Sequence, residues 1–294
     1  MTLLKTKLLF IALFLLVACP WQEGARAEGQ EKLLVFTSLG PVSFVVEQIG
    51  GHQVDVHTLI PPGRDPHTFS PNPRQLVALS QADIYFTIAM TFEEELLHRL
   101  AVEETDLRII DCSAGIARRH IQEDPLHQHD TGQGDPHIWL GISPLARMAR
   151  NISAALSQEA PANQHRFAEN LDQFLDRLAR LEKELSSRLA PFKGRSFLVF
   201  HPSFGYFADS FGLVQEAVEI EGKSPSPRQL AAITRMARAR DIRAIFIQPQ
   251  FDKRAAQRIA QAIDGEVLTM DPLEADVFAN LQAMAEKIAA GLGK

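Results

Sequence analysis

The chain has 294 residues, with 30 basic and 36 acidic side chains, a formal charge of −6 and 46% hydrophobic content. That acidic balance argues against nucleic acid or an anionic membrane surface as partner. Two cysteines cannot supply a disulfide framework, so stability must come from a buried core, and this length provides for one or two domains of ordinary size.

Lys5 and Lys7 precede the apolar run LLFIALFLLVA, about eleven residues, too short to span a bilayer and of the length of a signal-peptide core. Residues 1–27 are therefore expected to be an export leader. Two exits follow it. LVAC, ending at Cys19, fits a lipoprotein processing box that leaves Cys19 as a lipidated N-terminus, although Pro20 directly after it counts against this. ARA, at Ala25 to Ala27, fits a cleavage site that releases a soluble chain from Glu28. Either exit leaves Cys112 as a lone thiol, and loss of residues 1–27 takes the charge to −8, from 27 basic and 35 acidic groups.

After the leader, short apolar runs rich in β-branched and aromatic residues read as strands at 32–38, 54–60, 83–89 and 107–111. Between them GPVSFVVEQIGG and NPRQLVALSQA have helical spacing, with Gly or Pro at their edges. The segment 113–136 is the longest irregular one and is expected to be a surface loop. The strand pattern returns at 196–200, 242–249 and 265–271. Strands separated by single helices imply parallel sheets with crossover helices, so the class is α/β.

One segment breaks this rhythm. From Pro161 to Leu189 the chain has no glycine, and Phe167, Leu171, Phe174, Leu178, Leu181, Leu185 and Leu189 recur every three or four positions. This predicts a helix of about 43 Å with one apolar stripe. The same spacing would suit a coiled coil, but about three heptads standing alone favour a spine against which two α/β halves pack. The expected organisation is a first lobe over 28–160, a linking helix over 161–190 and a second lobe over 191–294.

Asp-Pro-His is written twice, in RDPHTFSP at His67 and in GDPHIWLG at His137. The flanks differ, which argues against a duplicated module and for a shared local need. FHPSFGYF, with His201 followed by Pro202, suggests what that need is. His67 lies in the loop after the 54–60 strand, and His201 directly follows the 196–200 strand. Ligand sites of open α/β sheets form outside the carboxyl ends of strands. A proline beside each of the three histidines stiffens the backbone, as suits an imidazole held about 2.0–2.1 Å from a metal. Asp65 and Asp135 are placed to cap neighbouring N–H groups or to accept from the ligating rings. Asp271, in EVLTMDPL, ends a predicted strand before another proline and is the fourth candidate. Ligands drawn from both halves of the chain exclude a local zinc knuckle and fit a site between two lobes.

These strings resemble the periplasmic metal-binding solute-binding proteins of zinc and manganese ABC transporters, the zinc-uptake branch in particular. The likeness rests on PPGRDPHTFSPNPRQL, DPHIWL, the long central helix, FHPSFGYFA, EGKSPSP and TMDPL, and runs over essentially the whole chain after the leader. It implies two α/β lobes joined by a rigid helix, a metal between them, ligands at His67, His137 and His201, and a fourth-ligand position at Asp271, where water or another carboxylate stands in some zinc-type relatives. Manganese-type relatives carry glutamate at the third position, where this chain has His201, and three imidazoles suit Zn²⁺ better than Mn²⁺. The short HQHD string resembles a reduced form of the His-rich loop of zinc-type relatives, an accessory metal collector that would use His127 and His129, with His120 as a further candidate. The resemblance further implies a monomer in the periplasm, soluble or anchored through Cys19, that delivers Zn²⁺ to a membrane permease with modest closure of its lobes. A secreted zinc hydrolase is disfavoured, because the chain has neither an HExxH pair nor a GxSxG elbow.

Overall fold

The computed structural model describes residues 32–100, 106–120, 134–219 and 226–293. The expected leader over 1–27, with Cys19, and the loop histidines His127 and His129 lie outside them.

The first half alternates β1 (Leu33–Thr37), α1 (Gly40–Gly50), β2 (Val54–Thr58), α2 (Pro73–Ser80), β3 (Ile84–Thr87), α3 (Thr91–Leu100) and β4 (Arg108–Asp111), then passes to α4 (Ile142–Glu159) and α5 (Gln164–Leu189). The second half runs β5 (Ser196–Val199), α6 (Gly205–Phe211), β6 (Val214–Ala217), α7 (Pro227–Ala239), β7 (Ala244–Ile247), α8 (Lys253–Ala262), β8 (Glu266–Thr269) and α9 (Val277–Leu292). Each half holds a four-stranded parallel sheet, ordered β2-β1-β3-β4 in one and β6-β5-β7-β8 in the other. The two orders are the same when counted from the start of each half. A short sequence echo accompanies this: Ser-Pro-x-Pro-Arg-Gln-Leu occurs at 70–76 and again at 224–230. In both copies the residue before the second proline caps a helix, Asn72 on α2 and Ser226 on α7, in a reciprocal capping box with Gln75 and Gln229. The two Asp-Pro-His strings are not part of this echo. His67 follows β2, whereas His137 precedes α4.

Among the described residues there are eight strands, and seven fall where the apolar runs predict them. The eighth, β6, is the polar edge strand VQEA, with Val214 exposed and Gln215 buried. An edge strand with one wet side need not be an apolar run, so hydropathy passes over it. The central strands are covered on both faces. Along β7, Ala244 and Phe246 join the large core, while Ile245 and Ile247 join a smaller one under α7 and α8. The alternation is the period of two imposed by the pleat.

The long helix forms as its stripe predicts. α5 has 26 residues, about 39 Å, and buries Phe167, Phe174, Leu178, Leu181, Leu185 and Leu189. It packs on α1 and α4 of the first half and on α9 of the second. Phe278 of α9 is the joint: it meets Phe174 of α5 at 4.9 Å and Phe44 of α1 at 6.0 Å, with the Arg177 guanidinium 4.0 Å above its ring. The Asn170 amide donates to the Ile49 carbonyl at the end of α1, at 2.8 Å. A coiled-coil partner is not needed to cover the stripe, because α1, α4 and α9 cover it. Leu185 is fully buried in this layer, so Leu185→Ala is expected to lower stability by about 2–5 kcal/mol, read as a reduced midpoint in urea denaturation.

Candidate metal centre

Three segments bring the three prolyl histidines to one point. After β2 the chain turns through Pro61–Arg64 into a single 3-10 turn, Pro66–Thr68, and the Asp65 carboxylate caps it by accepting the His67 backbone N–H at 2.9 Å. Asp135 plays the same part before His137, accepting its backbone N–H at 3.0 Å ahead of the 3-10 turn Ile138–Leu140. The repeated Asp-Pro-His is thus a repeated turn, in which the carboxylate fixes the backbone of the histidine two positions on. His201 is placed differently. It follows β5 by two residues, and the buried amide of Gln248 receives its N–H (3.3 Å) and donates to its carbonyl (2.8 Å).

Two of the rings are oriented by carboxylates. His137 Nδ1–H donates to Asp135 Oδ1 at 2.7 Å, and His201 Nδ1–H to Glu219 Oε2 at 2.5 Å. A carboxylate only accepts, so the proton sits on Nδ1 and the Nε2 lone pair of each ring is presented elsewhere. For His201 it is presented to the cleft, where Nε2 is buried with no hydrogen-bond partner among the described residues. The ring centroids lie 5.0 Å (His67–His201), 5.5 Å (His137–His201) and 6.1 Å (His67–His137) apart. One nitrogen from each of the three lies within 4.8 Å of the others. A tetrahedral ion needs about 3.3 Å between such nitrogens, which small ring rotations supply.

The cleft around them is walled by Met90, Trp139, Phe251, Pro272 and Leu273. His201 stacks on Phe251 at 5.3 Å, and His137 leans on Trp139 at 5.4 Å. The Met90 wall is held from beneath. The buried Glu93 carboxylate accepts the N–H groups of Ile88 (3.0 Å) and Met90 (2.8 Å) around Ala89, whose φ is +54°, and is joined by the hydroxyl of Ser38. Burial pushes Glu93 up to about 7, against these donors.

The sequence-predicted residues separate here. His67, His137 and His201 come together, and Asp65 and Asp135 do what their spacing predicts. Asp271 does not join the three: its Oδ1 accepts the N–H of Leu273 (2.9 Å) and the Gln250 amide (3.2 Å). His120 is exposed. Glu219 and Gln248 escape the sequence reading. Glu219 follows the overlooked edge strand, and only pairing of β6 with β5 sets it beside His201. Ties across the molecule converge on the same place. Trp139 Nε1–H donates to the Pro272 carbonyl (2.7 Å), the Tyr206 hydroxyl to the Asp135 carbonyl (3.0 Å), and Arg119 bridges Asp135 (3.3 Å) and Asp209 (3.1 Å).

The family model described as ZnuA, zinc-uptake complex component A periplasmic, matches residues 35–291. The chain belongs to this family. A crystal structure of ZnuA superposes with a TM-score of 0.83 at 36% identity, covering 89% of this chain and 99% of that one. The manganese ABC transporter substrate-binding lipoprotein PsaA of Streptococcus mitis is 25% identical, over 97% of both chains. The zinc-binding protein AdcA of Streptococcus pyogenes is also 25% identical, over 92% of this chain but 56% of AdcA. ZnuA-family proteins are the metal-binding, substrate-binding components of ABC transporters; they work with membrane permeases and are not enzymes. No helix among the described residues is long and apolar enough to cross a membrane.

Burial favours the neutral form of the His67 and His137 rings. Burial lowers His67 to about 4, with the His201 and His137 rings adding to the effect, and burial likewise lowers His137 against the pull of Asp135. Asp135 stays below the usual carboxylate range, because His137 and Arg119 outweigh its burial. An imidazole must be unprotonated to ligate. The unfolded chain takes up a proton at His67 near 6.5 and the folded chain near 4, so protons favour unfolding between those values. The metal-free protein is therefore expected to lose stability as pH falls from about 6.5 to 4, and proton NMR should show the His67 ring titrating near 4. A His67 midpoint at 6.5 would contradict this.

Proposed function

We propose that this chain is a zinc-binding member of its family, which captures Zn²⁺ outside the inner membrane through His67, His137 and His201 and delivers it to a permease. The observation that carries this reading is a cluster of three imidazoles that contains no carboxylate. Zn²⁺ accepts a tetrahedral, nitrogen-rich shell with one position left for water, whereas Mn²⁺ favours more oxygen donors and a higher coordination number. The similarity at 36% identity to ZnuA supports it. The ion is cargo, so the site must release it as well as bind it. Three imidazoles leave a tetrahedral ion one position for water, which serves that need.

The carboxylates behind the rings strengthen the site. Asp135 and Glu219 raise the basicity of the imidazoles they accept from and hold them in the ligating tautomer. The leader implies export, with the chain either released after Ala27 or held by a lipid on Cys19.

Metal analysis of the processed protein, purified without tag or chelator, is expected to find about one zinc per chain. In competition titrations excess Mn²⁺ should not displace it. Simultaneous His67→Ala, His137→Ala and His201→Ala substitution should abolish tight binding, and unchanged affinity in that variant would overturn the assignment. Glu219→Gln should weaken zinc binding by about 10- to 100-fold. Tight Mn²⁺ binding by the unmodified chain would move it to the manganese class.

A further inference from the structure

Asp271 is the one carboxylate that the sequence offers to the metal and the fold withholds. It follows β8 by two residues, and a single oxygen, Oδ1, accepts both the Leu273 N–H and the Gln250 amide, at 2.9 and 3.2 Å. Its other oxygen has no hydrogen-bond partner among the described residues. The groups that hold it belong to the cleft: Gln250 and Leu273 line it beside the three histidines, and Asp271 does not. The backbone of this turn is pinned. The Pro272 carbonyl receives the Trp139 indole at 2.7 Å, and the Asp271 carbonyl receives the Asn280 amide at 2.9 Å. Side-chain rotation is then the freedom that remains, and Gln250 is the side chain that opposes it.

We infer that Gln250 is a specificity-determining residue, whose amide restrains the Asp271 carboxylate and so keeps the shell at three imidazoles. This rests on the zinc reading above and adds to it a reason for discrimination. A carboxylate that joins the three rings adds one or two hard oxygen donors and a negative charge. That change helps Mn²⁺, which seeks oxygen and a higher coordination number, more than it helps Zn²⁺, which is satisfied at four. With Gln250 gone, Asp271 keeps only the Leu273 N–H and can turn toward the ion. Gln250 touches no metal in this scheme; it is a positioning residue that acts through Asp271.

Four proteins test it: the parent, Gln250→Leu, Asp271→Asn and the double variant, each checked by circular dichroism and titrated with Zn²⁺ and Mn²⁺ in competition. The coupling between the two positions is read from the complete cycle. Asp271→Asn alone should leave Zn²⁺ affinity within about threefold, while Gln250→Leu should raise Mn²⁺ affinity by about tenfold or more, and the double variant should return to the parent value. Gln250→Ala gives the same reading if the leucine disturbs the cleft. A tenfold loss of Zn²⁺ affinity in Asp271→Asn would overturn the inference, because Asp271 would already be a ligand. Unchanged Mn²⁺ affinity in both Gln250 variants would overturn it as well, with the zinc reading intact. A parent chain that binds neither metal would overturn both together.

Discussion

Everything at the cleft depends on two desolvated carboxylate–imidazole pairs, Asp135 with His137 and Glu219 with His201. A histidine ring carries two nitrogens, and a metal site works only if the right one is bare and aimed. Burying a carboxylate to enforce that is costly unless its other lone pairs are met. Asp135, with no exposed surface, meets this by accepting from its own histidine's backbone and ring and from Arg119. Arg119 also reaches Asp209, so the group that neutralises Asp135 belongs to the ties between the halves. The charge arrangement that tunes one ligand is thereby part of the contact that holds the cleft together.

The frame around the pairs is stiff. α5 is continuous for 26 residues and is packed on both sides, and Phe278 wedges α9 against α1 and α5 at one point. A continuous helix bends gently unless proline or glycine interrupts it, and α5 contains neither. Large hinge opening would have to break this packing. Smaller changes need only ring rotation and side-chain rearrangement, which is the scale on which three nitrogens within 4.8 Å become a closed shell.

The cleft wall shows how little separates a nitrogen-rich shell from one that includes oxygen. Asp271 sits in the turn that contributes Pro272 and Leu273 to the wall, yet hydrogen bonds turn its oxygen to the backbone and to Gln250. Family membership is therefore compatible with either ion, since relatives of this chain include both zinc and manganese proteins.

What the amino-acid sequence determined on its own is local. The apolar stripe of 161–189, the β-branched runs and the proline-flanked histidines each report their own neighbourhood, because helix and strand periods and proline stiffness act over a few residues. Asp-Pro-His announced its own cap, since an aspartate reaches the N–H two residues on wherever it lies. What only the tertiary structure decided is pairing at a distance. β6 is too polar to read as a strand, and Glu219 becomes the partner of His201 only because β6 pairs with β5. The matching order of the two sheets leaves no more than a seven-residue echo in the chain, since topology is carried by which apolar runs meet and not by their spelling. Asp271 had the right residue type at a strand end. Its carboxylate is held by the Leu273 N–H and by Gln250, 21 positions earlier, a neighbour that the fold sets beside it and the sequence gives no means to foresee.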